Sequence, residues 1–150
     1  MLEALEATPF ASALRTSFAL YPLVNAAHIL SLGALITSAL LMDARLLGLA
    51  RHLPAATVVA TLRPVALTAL MLAVTTGFLL FSVRPLEYAA NPAFRIKLVL
   101  VAMAVLNAGL VTALGDRRPL ESPLIRLLAI ASILLWLGVL MAGRFIGFFV

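Results

Sequence analysis

The chain has 150 residues, 64% of them hydrophobic and only 11% charged, with a formal net charge of +5 and no cysteine. A soluble domain is about half apolar and about a quarter charged, so this chain lacks the charges needed to coat a water-facing surface. Without cysteine there are no disulfides, Cys-based zinc sites, iron–sulfur clusters or covalent Cys-x-x-Cys-His haem attachment. In so apolar a chain the cationic excess marks loops that face anionic lipid. No basic patch interleaved with aromatics points to nucleic acid, so the expected partner is the lipid bilayer.

The chain opens Met1-Leu2-Glu3-Ala4-Leu5-Glu6, acidic where a cleaved signal peptide is basic, and no cleaved signal is expected. Thr8-Pro9 then pairs a capping residue with a proline at the first helical position. Phe10, Leu14 and Phe18 recur every four residues with Arg15 and Thr16 off the stripe, which predicts a short interfacial helix over about 9–20.

Four charge-free stretches follow, at 16–42, 64–83, 98–115 and 127–143, of 27, 20, 18 and 17 residues. A bilayer core of about 30 Å needs roughly 17–25 helical residues. Open strands would leave backbone groups unpaired in lipid, so the spans are helices. They are predicted at about 22–47, 57–83, 92–115 and 123–146. Pro22, Pro54 and Pro64 lie near starts, and Asn91-Pro92 and Ser122-Pro123 repeat the cap-plus-proline pattern. Short loops make neighbouring spans antiparallel. Gly33, Ser38, Gly77, Gly109 and Gly138 allow close helix approach. The predicted fold is all-α: one transmembrane domain over residues 1–150, an integral membrane four-helix bundle with a short N-terminal interfacial helix.

Side A holds both termini and side B the two other loops. Side B carries Arg45, Arg51, Arg63, Arg117, Arg118 and Arg126; side A carries Arg15, Arg84, Arg95, Lys97 and Arg144. Setting aside Arg95, Lys97 and Arg144, which lie within helical segments, leaves six against two. Side B is then cytoplasmic and both termini face outward.

Polar residues inside a span are costly and mark candidate sites. His28 lies about 9 Å past Pro22 and Lys97 about 7.5 Å past Pro92 at the helical rise. Both enter from side A, and Arg144 closes the last span there. Asn25 is three residues before His28 on the same face, and Tyr88 is in the side A loop. Asn25, His28, Tyr88, Lys97 and Arg144 are therefore the candidate ligand-binding set. Each also has a plainer role: Lys97 and Arg144 as snorkelling headgroup contacts, His28 as an interhelical hydrogen bond. Asp43 and Arg45 read as the end of the first span, Asn107 as an interhelical hydrogen bond, Trp136 as packing and His52 as a solvated loop residue.

Several strings together resemble a known family. They are Tyr21-Pro22 followed by His28, Asp43-Ala44-Arg45-Leu46-Leu47-Gly48, Tyr88 with Asn91-Pro92-Ala93-Phe94-Arg95-Ile96-Lys97, and Gly143-Arg144-Phe145. The chain resembles an uncharacterised family of small bacterial four-helix membrane proteins, a domain of unknown function, which implies the bacterial inner membrane. That family often has an acidic residue three before the histidine, where this chain has Asn25. A weaker similarity reaches the membrane parts of copper-resistance protein D and haem-binding protoporphyrinogen oxidase-like proteins, and implies a metal or porphyrin theme.

Two functions compete. In one, the chain binds haem b or a related redox ligand in the outer leaflet, His28 supplying the axial nitrogen while Lys97 and Arg144 pair with the porphyrin carboxylates. The second ligand would then be Met141, Lys97, water or a residue of another subunit. In the other, the chain is a non-catalytic accessory or binding subunit. Its cationic pocket takes an anionic lipid or small molecule, and the chain assembles as a homo-oligomer or in a larger membrane complex. No Ser-His-acid set or carboxylate pair supports an enzyme, and an expected lack of Asp or Glu within the spans speaks against proton-driven transport.

Overall fold

A computed structural model describes residues 2–148 of the chain. Two short helices, α1 (Leu2–Glu6) and α2 (Pro9–Thr16), precede the long helices α3 (Leu20–Leu46) and α4 (Ala55–Val83). A six-residue helix, α5 (Pro85–Ala90), leads into α6 (Pro92–Gly115). Finally α7 (Pro123–Phe145) ends in a 3₁₀ turn, Ile146–Phe148. Four helices are long and apolar enough to cross a membrane: α3, α4, α6 and α7 with its terminal turn. The fold is an all-α bundle, and the chain reads as a membrane protein.

Burial follows the logic of lipid as solvent. Large residues such as Leu30, Phe78, Leu106 and Leu134 are exposed on the long helices. The interior instead holds small and polar residues, among them Ala39, Ala69, Ala104, Ala129, Ser31, Ser38 and Ser132. Lipid tails satisfy leucine as well as a protein core does, so close packing of small side chains drives association. Trp136 and Val139 of α7 fill the central core with Leu35 and Ile36 of α3.

The helices form two pairs. α3 lies along α4, and α6 along α7, while α3 also packs on α7 and joins the pairs. No Cα of α4 comes within 8 Å of α6 among the described residues. These two helices meet only through side chains, which leaves a seam between the pairs.

Local chemistry explains most boundaries. Asn91 caps α6, its Oδ1 accepting from the Ala93 and Phe94 amides at 3.0 and 3.3 Å, with Pro92 in the first turn. Thr8 caps α2 through the Ala11 amide at 3.3 Å. Ser122 occupies the cap position of α7, but its hydroxyl makes no cap bond and is buried without a partner. α3 starts at Leu20, before Pro22, because the Ser17 hydroxyl accepts the Leu20 amide at 3.2 Å and Pro22 falls within the first turn, where no N–H is needed. Pro64 lies inside α4 and does not start it. In a span, neighbouring helices and local adjustment accommodate the lost amide.

Two other expectations need correction. Leu14 of the N-terminal stripe is buried, whereas Phe18 lies beyond the end of α2 and is 99% exposed. The side chain of Phe10 lies outside the described residues. Of the five small residues, Gly33 and Gly109 have nothing within 4 Å of where a Cβ would stand. Their spacing suits a contact face, but helix rotation turns them outward and alanines occupy the interfaces.

Candidate functional site

At the side A end, α3 and α4 bring His28 against Thr76. His28 Nδ1 is 3.0 Å from Thr76 Oγ1. The Thr76 hydroxyl donates to the Leu72 carbonyl at 2.6 Å, so its oxygen accepts from His28 Nδ1–H and leaves Nε2 without that proton. The imidazole fits because its neighbour on α4 is Gly77: a Cβ there would stand 3.0 Å from His28 Cε1.

The other helix pair supplies a cation. Lys97 on α6 is half-buried, and its stem and ammonium pass over Gly143 of α7, 3.5 Å from where a Cβ would stand. Among the described residues Lys97 forms no ion pair. The imidazole and the ammonium thus belong to different helix pairs at the same end of the bundle.

Aromatic rings roof this region. Phe81 of α4 and Phe94 of α6 stack with centroids 5.5 Å apart and planes 7° apart. Tyr88 of α5 leans on both, at 6.4 and 5.6 Å. The Tyr88 phenol is raised above its ordinary pKa chiefly by burial and then by the neighbouring Tyr21, with Arg84 opposing. Asn91 fastens the end of the roof, donating from Nδ2 to the Ile146 carbonyl at 3.1 Å while it caps α6.

His28, Lys97 and Tyr88 therefore converge on one end of the bundle. Arg144 and Asn25 do not join them. Arg144 is exposed, its guanidinium 5.5 Å from the Phe148 ring centroid, and Asn25 faces outward. Depth along a helix follows from spacing, but each residue turns the side chain by about 100°, so neighbours in sequence can leave the interior. Arg144 is one step from Gly143, which faces Lys97, and Asn25 sits on the edge of the His28 face.

Haem b suits this arrangement poorly. His28 offers one nitrogen, but its ring is tucked against α4. Two grooves, of about 500 and 460 Å³, open on the surface, and neither is lined by His28. Met141 is exposed and His52 sits in the opposite loop.

A second polar cluster at side B escaped the sequence reading. Arg45 is 6% exposed; its Nε donates to the Leu53 carbonyl at 2.6 Å and its Nη2 pairs with Glu121 at 2.9 Å. It thereby ties the α3–α4 loop to the α6–α7 loop. Asp43 is equally buried, facing Ser132 of α7. Both residues belong to α3, which runs to Leu46, one turn past the charge-free stretch. Asp43 thus places a buried acid inside a spanning helix, so the spans are not acid-free and do not speak against proton-coupled transport. Asn107 donates to the Leu128 carbonyl at 3.0 Å, the interhelical bond expected of it.

No curated protein and no solved structure matches the chain, so the weaker likeness to copper-resistance protein D and protoporphyrinogen oxidase-like proteins gains no support. A family model matches residues 10–149, nearly the whole chain, in keeping with the resemblance carried by its motifs. The chain belongs to the family of unknown function DUF6644.

Proposed function

We propose that the chain is a non-catalytic binding protein that holds the anionic head of a lipid or a similar amphipathic anion at its side A end. The observation that carries this reading is Lys97: a half-buried ammonium on an apolar helix with no carboxylate partner among the described residues. Such a charge is costly in a membrane unless it meets an anion or reaches the interface. His28 and the Tyr88 phenol supply further polar groups at the same end of the bundle. The flexible tail of such an anion would lie along α4 and α6, whose Cα atoms nowhere come within 8 Å of each other among the described residues.

In this reading side B faces the cytoplasm of a bacterial inner membrane and the site opens toward the outer leaflet, because the side B loops carry the surplus arginines. Reporter fusions after Val150 and in the Arg51–Thr57 loop test the orientation; a cytoplasmic signal from the C-terminal fusion reverses it. The binding claim is tested by extracting the purified protein with organic solvent and identifying what was bound. An anionic amphiphile that is depleted in Lys97→Met supports it. A porphyrin in the extract, with a Soret band lost in His28→Ala, replaces it with the haem reading.

A further inference from the structure

We infer that a groove on one face of the α3–α4 pair holds an anionic phospholipid of the side B leaflet, its head at the Arg45 and Arg51 end and one acyl chain running inward. The groove, of about 460 Å³, lies where α3 ends, the loop turns and α4 begins. Leu41, Ala44, Leu53, Val58 and Leu62 form its apolar walls. It is at the opposite end of the bundle from Lys97 and does not depend on that residue.

The groove lies at headgroup depth. α4 has 29 residues, about 43 Å of helix, whereas a bilayer core is about 30 Å thick. The charge-free run of α4 begins only after Arg63. Its first two turns, which line the groove, therefore stand at the level of the side B headgroups. Polarity along the groove is graded to match. Arg45 lines it and is 6% exposed; Nε and Nη2 are bound to Leu53 and Glu121, but Nη1 is buried with no partner. Arg51 and His52 lie on the rim, between Ala50 and Leu53 of the lining, and the loop carries no acidic residue. A buried cation with a spare donor and an exposed cation on the loop to which it is tied favour an anionic head. Leu41 and Leu62, at the inner end, suit a hydrocarbon tail.

The groove also continues inward. Thr57, Thr61, Val65, Thr68 and Leu72 recur every three or four residues, along one face of α4. The first two line this groove and the other three line the second one, of about 500 Å³, in which no lining residue is charged. On α3, Leu30, Ala34, Leu41 and Arg45 keep the same register. The two grooves thus follow one another on one face of the helix pair. From Thr57 to Leu72 the track rises about 22 Å, more than half the thickness of the bilayer core.

Native mass spectrometry of Lys97→Met protein released from nanodiscs with equal phosphatidylglycerol and phosphatidylcholine tests this site apart from side A. Phosphatidylglycerol should be retained in preference to phosphatidylcholine. Arg51→Gln should lower that preference about fivefold, the equivalent of about 1 kcal/mol for one arginine at a membrane surface. Arg51→Lys should keep most of it, which separates the charge from the loop structure. Thr57 is exposed, so Thr57→Trp fills the groove without entering the core and should bring phosphatidylglycerol down to the phosphatidylcholine level. Equal retention of the two lipids by Lys97→Met protein, or a preference undiminished by Arg51→Gln or by Thr57→Trp, would overturn the site.

Discussion

The side chains of His28 and Thr76 meet across α3 and α4 with Nδ1 and Oγ1 3.0 Å apart, while the Thr76 proton is already given to the Leu72 carbonyl. This sets the histidine tautomer. ¹⁵N spectra of histidine-labelled protein should show His28 with a protonated Nδ1 and a bare Nε2. Thr76→Val should release that preference and cost about 0.6 kcal/mol, the average for hydrogen bonds between membrane helices. A dominant Nε2–H tautomer in the unaltered protein would refute the geometry.

Gly77 and Gly143 make a matched pair. A methyl group at Gly77 would press on His28 Cε1 at 3.0 Å, whereas at Gly143 it meets Lys97 at an ordinary 3.5 Å. Gly77→Ala should therefore displace the imidazole and destabilise by about 1–3 kcal/mol, as overpacking does. Gly143→Ala should be tolerated. Thermal unfolding in detergent, with the His28 ring resonances as a local probe, separates the two.

Asn91 uses both ends of its amide. Asn91→Ala removes the α6 cap and the link to Ile146 together and should cost about 0.5–2 kcal/mol for the cap alone. Asn91→Asp keeps an acceptor for the α6 amides but loses the donor to Ile146. It should recover the helix start while loosening the C-terminal turn, which hydrogen exchange at residues 145–148 would report. Equal protection there in Asn91→Asp and the unaltered protein would show that the Ile146 bond contributes nothing.

Arg45 and Glu121 are unequal partners. The Arg45 side chain is 7% exposed and that of Glu121 is 53% exposed. Removing Glu121 leaves a buried guanidinium short of a counter-charge, whereas removing Arg45 leaves a carboxylate that water can hydrate. Glu121→Gln should therefore destabilise more than Arg45→Met, whose side chain fills the same apolar space. The reverse order in thermal unfolding would mean that the guanidinium is better solvated than its burial implies.

The spans were legible because lipid demands long apolar helices, and composition records that demand directly. The Asn91-Pro92 start was legible because capping is local. The site was half legible. Antiparallel order brought His28, Lys97 and Tyr88 to one end, but rotation decides membership, and Arg144 and Asn25 turned outward. Asp43 was missed for a different reason. A charge at the edge of an apolar stretch reads as the marker of a helix end, so nothing in the sequence tells that Asp43 is buried rather than solvated. Its neighbour Arg45 finds Glu121 76 residues away, a pairing with no local signal.

The central claim, that Lys97 holds an amphipathic anion, is tested most directly by spin-labelled lipids in reconstituted membranes. Electron paramagnetic resonance measures the fraction of label immobilised on the protein. A spin-labelled fatty-acid anion should be immobilised to a greater extent than spin-labelled phosphatidylcholine, and Lys97→Met should bring the two to the same level while the helices remain folded. Equal immobilisation of both lipids on the unaltered protein, or a preference for the anion that survives Lys97→Met, would contradict the account.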